Sequence, residues 1–391
     1  MEWKEYNICQ LCDTISETYK GKSNSVVLIN TSDVLEGKVL NHKRVPNKGL
    51  KGQFKKTFKK NDILYSEIRP ANKRFAYINF SPNDYIASTK LMVLRSKPIV
   101  SSHFLFQILK SEIVLKNLQM LAESRSGTFP QITYSELSNV RVKVPPLPVQ
   151  DKIVGILSAL DAKIENNNKI NANLEAQAQA LFKSWFVDFT PFKDQPFVDS
   201  ELGPIPQGWK VGTLGDIANI IMGQSPAGSS YNERGNGVIF YQGRTEFGFR
   251  FPNVRLYTTM PKRYAEPMSI LLSVRAPVGD INVAIEKCCI GRGLASISSK
   301  RGLHSFLLYL VKSLKNRLEV FNGEGTVFGS INKNTLTQFK IIIPPIEMQE
   351  KFNEIIQRHD CMVLELHKEI INLSTQRDTL LPKLMSGEIK L

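Results

Sequence analysis

The chain has 391 residues, enough to bury a large core and to form two or three domains. Hydrophobic residues make up 42% and charged residues 22%, a balance that excludes a disordered or fibrous chain. The net charge of +15 points to a polyanionic partner, nucleic acid before an anionic membrane. No apolar run reaches the ~18 residues that span a bilayer, and the start Met1-Glu2-Trp3-Lys4-Glu5 has no secretory pattern. Five cysteines without framework spacing suit a reducing cytoplasm, which is the expected location.

In chain order, residues 1–148 read as a mixed domain. Ser25-Val26-Val27-Leu28-Ile29 is a β-like run. The segment Lys38 to Lys60 then carries nine basic residues and no acid, among them Lys43, Arg44, Lys48, Lys51, Lys55 and Lys56. Phe54 and Phe58 are interleaved with them. That concentration of charge favours phosphate tracking over a merely solvated loop. Lysines of this kind position a protein on the nucleic-acid backbone without reading its sequence. Reading bases needs forked donors, amides and methyl groups at base edges. Arg69, Asn72, Lys73 and Arg74 supply them on one turn, with Thr89 and Lys90, then Arg125 and Thr128, further on. A helix is expected over Phe104 to Leu118.

Residues 149–187 read as one long helix. Its inward positions are Ile153, Leu157, Leu160, Ile164, Asn167, Asn171, Leu174, Ala178, Leu181 and Trp185, a heptad spacing. Residues 188–208, with Pro191, Pro196, Pro204 and Pro206, read as an extended connector. Residues 209–346 form a second mixed domain, with Gln224, Ser225, Arg234, Gln242, Arg244, Arg250, Arg275, Arg292 and Thr326 as its candidate base readers. Residues 347–391 form a second long helix with the seam Phe352, Ile356, His359, Val363, Leu366, Ile370, Leu373, Arg377, Leu380 and Leu384. Matched helices of this length are expected to pair, with Asn167, Asn171 and Arg377 fixing register or antiparallel orientation.

The two halves are an internal repeat. Pro145-Pro146 and Pro344-Pro345 lie 199 residues apart, each followed by Gln, an acid and Lys, and every seam position repeats at that spacing. Phe104 to Ser111 matches Phe306 to Ser313 at 202 residues. Trp3-Lys4 matches Trp209-Lys210, and Ile68-Arg69 matches Val274-Arg275, both at 206. This alignment makes Arg69 and Arg275 counterparts.

Catalytic signatures do not stand. Gly21-Lys22-Ser23 has the tail of a phosphate-binding loop but lacks its leading glycine, and Gly291-Arg292-Gly293 lacks the third glycine of a dinucleotide loop. There is no Asn-Pro-Pro-aromatic or Asp-Pro-Pro-aromatic tetrad of the kind that an amino methyltransferase needs. Cys9 and Cys12 form one Cys-x-x-Cys, and Cys288 and Cys289 are poorly spaced to complete a zinc site, so no metal is expected.

The chain resembles the specificity subunits of Type I restriction–modification enzymes. The marks are Trp209-Lys210 with Leu214-Gly215-Asp216-Ile217, the two Pro-Pro-x-x-x-Gln-acid-Lys junctions, the paired helices, and the ending Leu381-Pro382-Lys383-Leu384-Met385-Ser386-Gly387. The resemblance covers essentially the whole chain. It implies an α+β architecture of two similar target-recognition domains joined by two long antiparallel, coiled-coil helices with pseudo-two-fold symmetry. It also implies that each domain reads one half of an asymmetric, bipartite double-stranded DNA site. The implied partners are two methylation subunits, which use S-adenosylmethionine to methylate adenine, and two ATP-driven restriction subunits. S-adenosylmethionine, ATP and Mg would belong to those partners, and this chain would hold no cofactor and catalyse nothing alone. One departure is that the first half opens Trp3-Lys4-Glu5-Tyr6-Asn7-Ile8, without Leu-Gly-Asp, so its start is expected to pack differently. The competing reading is a basic scaffold that binds RNA or acidic proteins; a methyltransferase or nuclease in its own right is disfavoured by the missing motifs.

Overall fold

Each junction forms as the prolines dictate. The strand Arg141–Val144 stops at Pro145-Pro146, and a helix of 40 residues, Leu147–Phe186, starts at once. The strand Lys340–Ile343 stops at Pro344-Pro345, and a helix of 41 residues, Ile346–Ser386, follows. Proline cannot continue the ladder but is tolerated in a first helical turn. In both, a buried glutamine closes the corner: Gln150 Nε2 donates to the Pro145 carbonyl at 2.9 Å, and Gln349 Nε2 to the Pro344 carbonyl at 2.8 Å. The computed structural model describes residues 3–49, 52–124, 130–323 and 329–391.

The chain divides into two compact units, Met1–Asn166 with Glu369–Leu391 and Asn167–Lys368. The division falls inside both long helices, so each unit owns a mixed domain plus one stretch of each helix.

In the first unit, Lys4–Asn7 pairs antiparallel with Arg141–Val144. An antiparallel sheet runs in the order Cys12–Ile15, Leu91–Ser96, Ile63–Ser66, Phe75–Tyr77. A second sheet runs Arg44–Pro46, Ser25–Ile29, Tyr85–Ser88, Phe54–Lys56, with its central pair parallel. The second unit repeats this plan. Lys210–Thr213 pairs with Lys340–Ile343. One sheet runs Ala218–Met222, Leu294–Ser299, Ile270–Ser273, Ile281–Val283. The other runs Tyr231–Asn232, Leu256–Thr258, Val238–Tyr241, Cys288–Ile290, Tyr264–Ala265, again with one parallel pair at its centre.

Every seam position is buried or half-buried along both helices. Within the first unit the helices pair antiparallel: Leu157 shares a core with Leu380 and Leu384, and Arg377 Nη1 meets Asp161 at 3.0 Å. Within the second unit they do so again, with the Phe182 and Phe352 rings 5.4 Å apart and Leu174 and Val363 in one core.

Three expectations change. The helix expected over Phe104 to Leu118 is two, Ser102–Lys110 and Glu112–Ser124, because Ser111 ends one and its hydroxyl accepts from Val114 N at 3.5 Å in the next. The connector is not merely extended, since Phe192 and Ile205 are buried in the second unit's core and Phe197–Val198 pairs with Ile205–Pro206. The start of the first half packs as the second does. Gln10 Oε1 accepts from Asn7 N at 2.8 Å, as Asp216 accepts from Thr213 N at 2.7 Å, so a short helix forms in both.

Candidate nucleic-acid interface

The basic segment of the first unit supplies both edge strands of its second sheet, Arg44–Pro46 and Phe54–Lys56. Lys43, Arg44, Lys48, Lys55, Lys59 and Lys60 are exposed. Charges on open edges also keep a sheet from pairing with other chains. Lys56 serves the fold instead: its Nζ donates to the Thr89 and Leu91 carbonyls at 2.9 and 2.8 Å, and burial pulls its ammonium below the usual lysine range. The two phenylalanines turn inward, with Phe58 buried and Phe54 half-buried.

In the second unit, four candidate readers come together at one corner. Gln224 follows the strand Ala218–Met222, Gln242 follows Val238–Tyr241, Arg275 follows Ile270–Ser273, and Arg292 sits between Cys288–Ile290 and Leu294–Ser299. Backbone hydrogen bonds lock these turns together. Gln224 N donates to the Ile290 carbonyl at 2.9 Å, Gly291 N to Tyr241 at 2.8 Å and Val274 N to Gly293 at 3.0 Å. Arg292 N donates to the Ser225 hydroxyl at 3.3 Å. Such an approach requires glycine. A Cβ on Gly291 would lie 2.7 Å from the Gln242 carbonyl, and one on Gly293 would lie 3.0 Å from it.

All four side chains are exposed, and none donates or accepts a hydrogen bond or forms an ion pair among the described residues. Arg234 is also exposed, but on the turn that leads into Val238–Tyr241, at the end of that strand opposite Gln242. Arg244 is exposed but forms an ion pair with Asp280.

The first unit has the same corner. Glu67 N donates to the Lys90 carbonyl at 3.0 Å, Arg69 N to Pro130 at 3.0 Å, and Ile132 N to Glu67 at 2.8 Å. In the second unit the matching bonds are Val274 N to Gly293, Ala276 N to Gly329 at 3.0 Å, and Ile331 N to Val274 at 3.1 Å. These pairings set the register at 207 residues rather than 206. Arg275 is therefore the counterpart of Ile68, and Arg69 that of Ala276, which corrects the sequence alignment by one residue. Ser66 and Ser273, whose hydroxyls donate to the Ile68 and Arg275 carbonyls, agree with this register, as do Pro70 and Pro277.

The other first-unit candidates are more engaged. Lys90 Nζ reaches Gln131 Oε1 at 3.2 Å and Glu67 Oε2 at 3.5 Å. Lys73 pairs with Glu36 at 3.3 Å, and Arg74 donates to the Ser32 carbonyl at 3.0 Å. Asn72 is exposed beside them. Gln131, which sequence reasoning missed, is brought there by its backbone bridge to Ile68, a pairing that no local signal gives. Lys51, Arg125, Thr128 and Thr326 lie outside the described residues.

Arg250 is a correction. It is only 4% exposed. Its guanidinium joins Glu175 and Asp360, one from each long helix, at 2.5 Å each, and donates to the Tyr309 hydroxyl at 3.1 Å. Lys312 pairs with Glu175, and Ser305 Oγ donates to Asp360 at 2.6 Å. Burial opposes the Arg250 charge, yet Asp360 and the other partners raise its affinity for the proton above the usual range. An arginine so enclosed serves the fold rather than an open surface.

Cys12 and Cys288 are buried, and burial pushes both thiols up to about 12. No group of three His, Cys, Asp or Glu among the described residues is placed to hold a metal ion. No helix among the described residues is long and apolar enough to cross a membrane.

Two repeated mixed domains, each with the same hydrogen-bonded corner and a stretch of paired helix, define a DNA reader built twice over. Comparison with known proteins gives the family. The Type I restriction modification DNA specificity domain matches residues 1–176 and again 206–374, so the chain belongs to the specificity subunits of Type I restriction–modification systems. It is 32% identical to the Type I restriction enzyme HindI specificity subunit of Haemophilus influenzae, over 99% of this chain and 100% of that one. It is 34% identical to the putative MjaX specificity subunit of Methanocaldococcus jannaschii, over 84% and 78%. The crystal structure of the Type I S subunit from M. genitalium shares the fold, with a TM-score of 0.57 at 20% identity over 98% of this chain and 96% of that one.

Proposed function

We propose that each unit of this specificity subunit reads one half of an asymmetric, bipartite DNA target. Methylation subunits would then act on adenine, and restriction subunits would cleave. The observation that carries this reading is the repeated corner: one backbone frame, locked by the same hydrogen bonds, presenting different side chains in the two units. A common frame with different side chains is what reading two different half-sites requires. The exposed lysines of the first unit's edge strands would hold the duplex through its phosphates. S-adenosylmethionine, ATP and Mg belong to the partner subunits in this reading, two of each kind. A basic scaffold for RNA or acidic proteins would need neither corner.

The test is selective duplex binding without chemistry. The purified chain should prefer a bipartite duplex over random duplex, and should neither methylate nor cleave it. Methyl transfer from S-adenosylmethionine by the verified-pure chain would overturn the non-catalytic reading. Equal binding to all duplexes would overturn the recognition role.

A further inference from the structure

We propose that guanine is read by the second unit through Arg275 and Arg292, and that the first unit does not read it from these two positions, where its counterparts are Ile68 and Thr89. This inference rests on the reading of the chain as a DNA specificity subunit and adds which residues of the second unit select guanine.

The bond from Glu67 N to the Lys90 carbonyl corresponds to that from Val274 N to the Gly293 carbonyl. Each acceptor directly precedes the six-residue strand of its unit, Leu91–Ser96 or Leu294–Ser299. Thr89 therefore occupies the position of Arg292, as Ile68 occupies that of Arg275. Both first-unit residues are half-buried, and neither carries a forked donor.

Next comes availability. An arginine donates to O6 and N7 of guanine only if its guanidinium is not already spent inside the protein. Arg275 and Arg292 are exposed, and neither guanidinium has a partner among the described residues. By contrast, Arg250 is enclosed, Arg244 is held by Asp280, and Arg255 is held by Glu246 at 2.7 Å and Glu233 at 3.5 Å. In the first unit, Lys90 is drawn to Glu67 and Gln131.

The third element is rigidity. The Val274 N to Gly293 carbonyl bond joins the two arginine-bearing turns directly, and Arg275 is also bridged to Ser330. Gly291 and Gly293 allow the Gln242 turn to close against them. A frame this tightly held adds no backbone ordering to the side-chain freedom that the two forks lose on meeting a base, which favours sequence reading over loose phosphate attraction.

The experiment selects duplexes from a random library with the full-length chain, comparing the natural protein with Arg275→Lys, Arg292→Lys and the double alanine variant. Lysine keeps the charge but not the fork, so a phosphate contact survives it and a bidentate guanine contact does not. The natural chain should enrich a two-part motif. The lysine variants should lose guanine preference in one half, by about ten- to a hundredfold per position, and leave the other half unchanged. Replacing that guanine with 7-deazaguanine should weaken binding by the natural chain and not by the double variant. Both residues are exposed, and circular dichroism would verify the fold of each variant. A bipartite motif that all variants retain overturns this inference alone. Absence of any enriched sequence with the natural chain overturns the recognition role and this inference with it.

Discussion

The two units anchor their helices with related charges set at different depths. In the first, Asp161 meets Lys110 at 3.8 Å and Arg377 at 3.0 Å, and all three side chains keep some contact with solvent. In the second, Asp360, the counterpart of Asp161 199 residues on, meets Arg250 in a nearly closed site. Lys312, 202 residues after Lys110, completes that site by pairing with Glu175. The acid and the lysine repeat. The arginine does not: it comes from the C-terminal helix in one unit and from a loop of the recognition domain in the other. The lesson is that a repeat can keep a salt-bridge position while moving its countercharge to another element, and the energetic weight moves with it.

Breaking the two networks should therefore have unequal consequences. Arg250→Met leaves Glu175 and Asp360 buried with only Lys312 to offset them, which should destabilise the second unit by about 3–5 kcal/mol. Arg377→Ala should cost the first unit only about 0.5–1 kcal/mol, as for partly exposed pairs. Hydrogen exchange resolved to each unit would measure both, and equal costs would contradict the difference in depth. The sign of the pH response sharpens the contrast. Burial, then the nearby Arg250, holds the Lys312 ammonium down at about 8 from 10.5. Between those values the unfolded chain keeps a proton that the folded chain releases, so the stability of the second unit should rise with pH across that window. Lys312→Met should flatten the rise.

The corner of the second unit offers the next largest effect. Gly291→Ala places a methyl group against the Gln242 backbone, which cannot rotate away as a side chain would, and should cost about 1–3 kcal/mol. Discrimination should fall at one half-site and persist at the other. Gly228→Ala, with nothing within 4 Å of its would-be Cβ, is the matched control. Should both substitutions behave alike in a duplex-competition assay, the corner does not govern recognition.

The smallest effect belongs to the edge-strand lysines. Changing Lys55, Lys59 and Lys60 together to glutamine should weaken binding to all duplexes alike. The slope of log affinity against log salt should fall by about 0.9 for each phosphate contact removed. Lys56 stays unchanged in this test because its ammonium caps two carbonyls of the fold. An altered motif with unaltered affinity would reverse the division between positioning and reading.

The helices, the junctions and the repeat were legible because each is written in local spacing: Pro-Pro at a strand end, apolar residues every three and four positions, and both patterns repeated 199 residues later. The corner was only partly legible. Ile68-Arg69 and Val274-Arg275 look alike in sequence, and that likeness hid a register set by backbone hydrogen bonds between residues distant in the chain. Pairing Ser66 with Ser273 and Pro70 with Pro277 was the available signal. Arg250 was misread because a buried and an exposed arginine are identical as letters. Its partners Glu175 and Asp360 each directly follow an inward helix position, Leu174 and His359, and two acids flanking an apolar seam ask for a countercharge.

Exchange of one recognition half tests the central claim most directly. A chain carrying residues 3–146 again in place of 209–345 keeps both long helices and presents the first corner twice. If each half reads its own half-site, library selection with this chain should return a target whose two parts carry the same sequence, that of the first half-site. Recovery of the original asymmetric target from the exchanged chain would contradict the account.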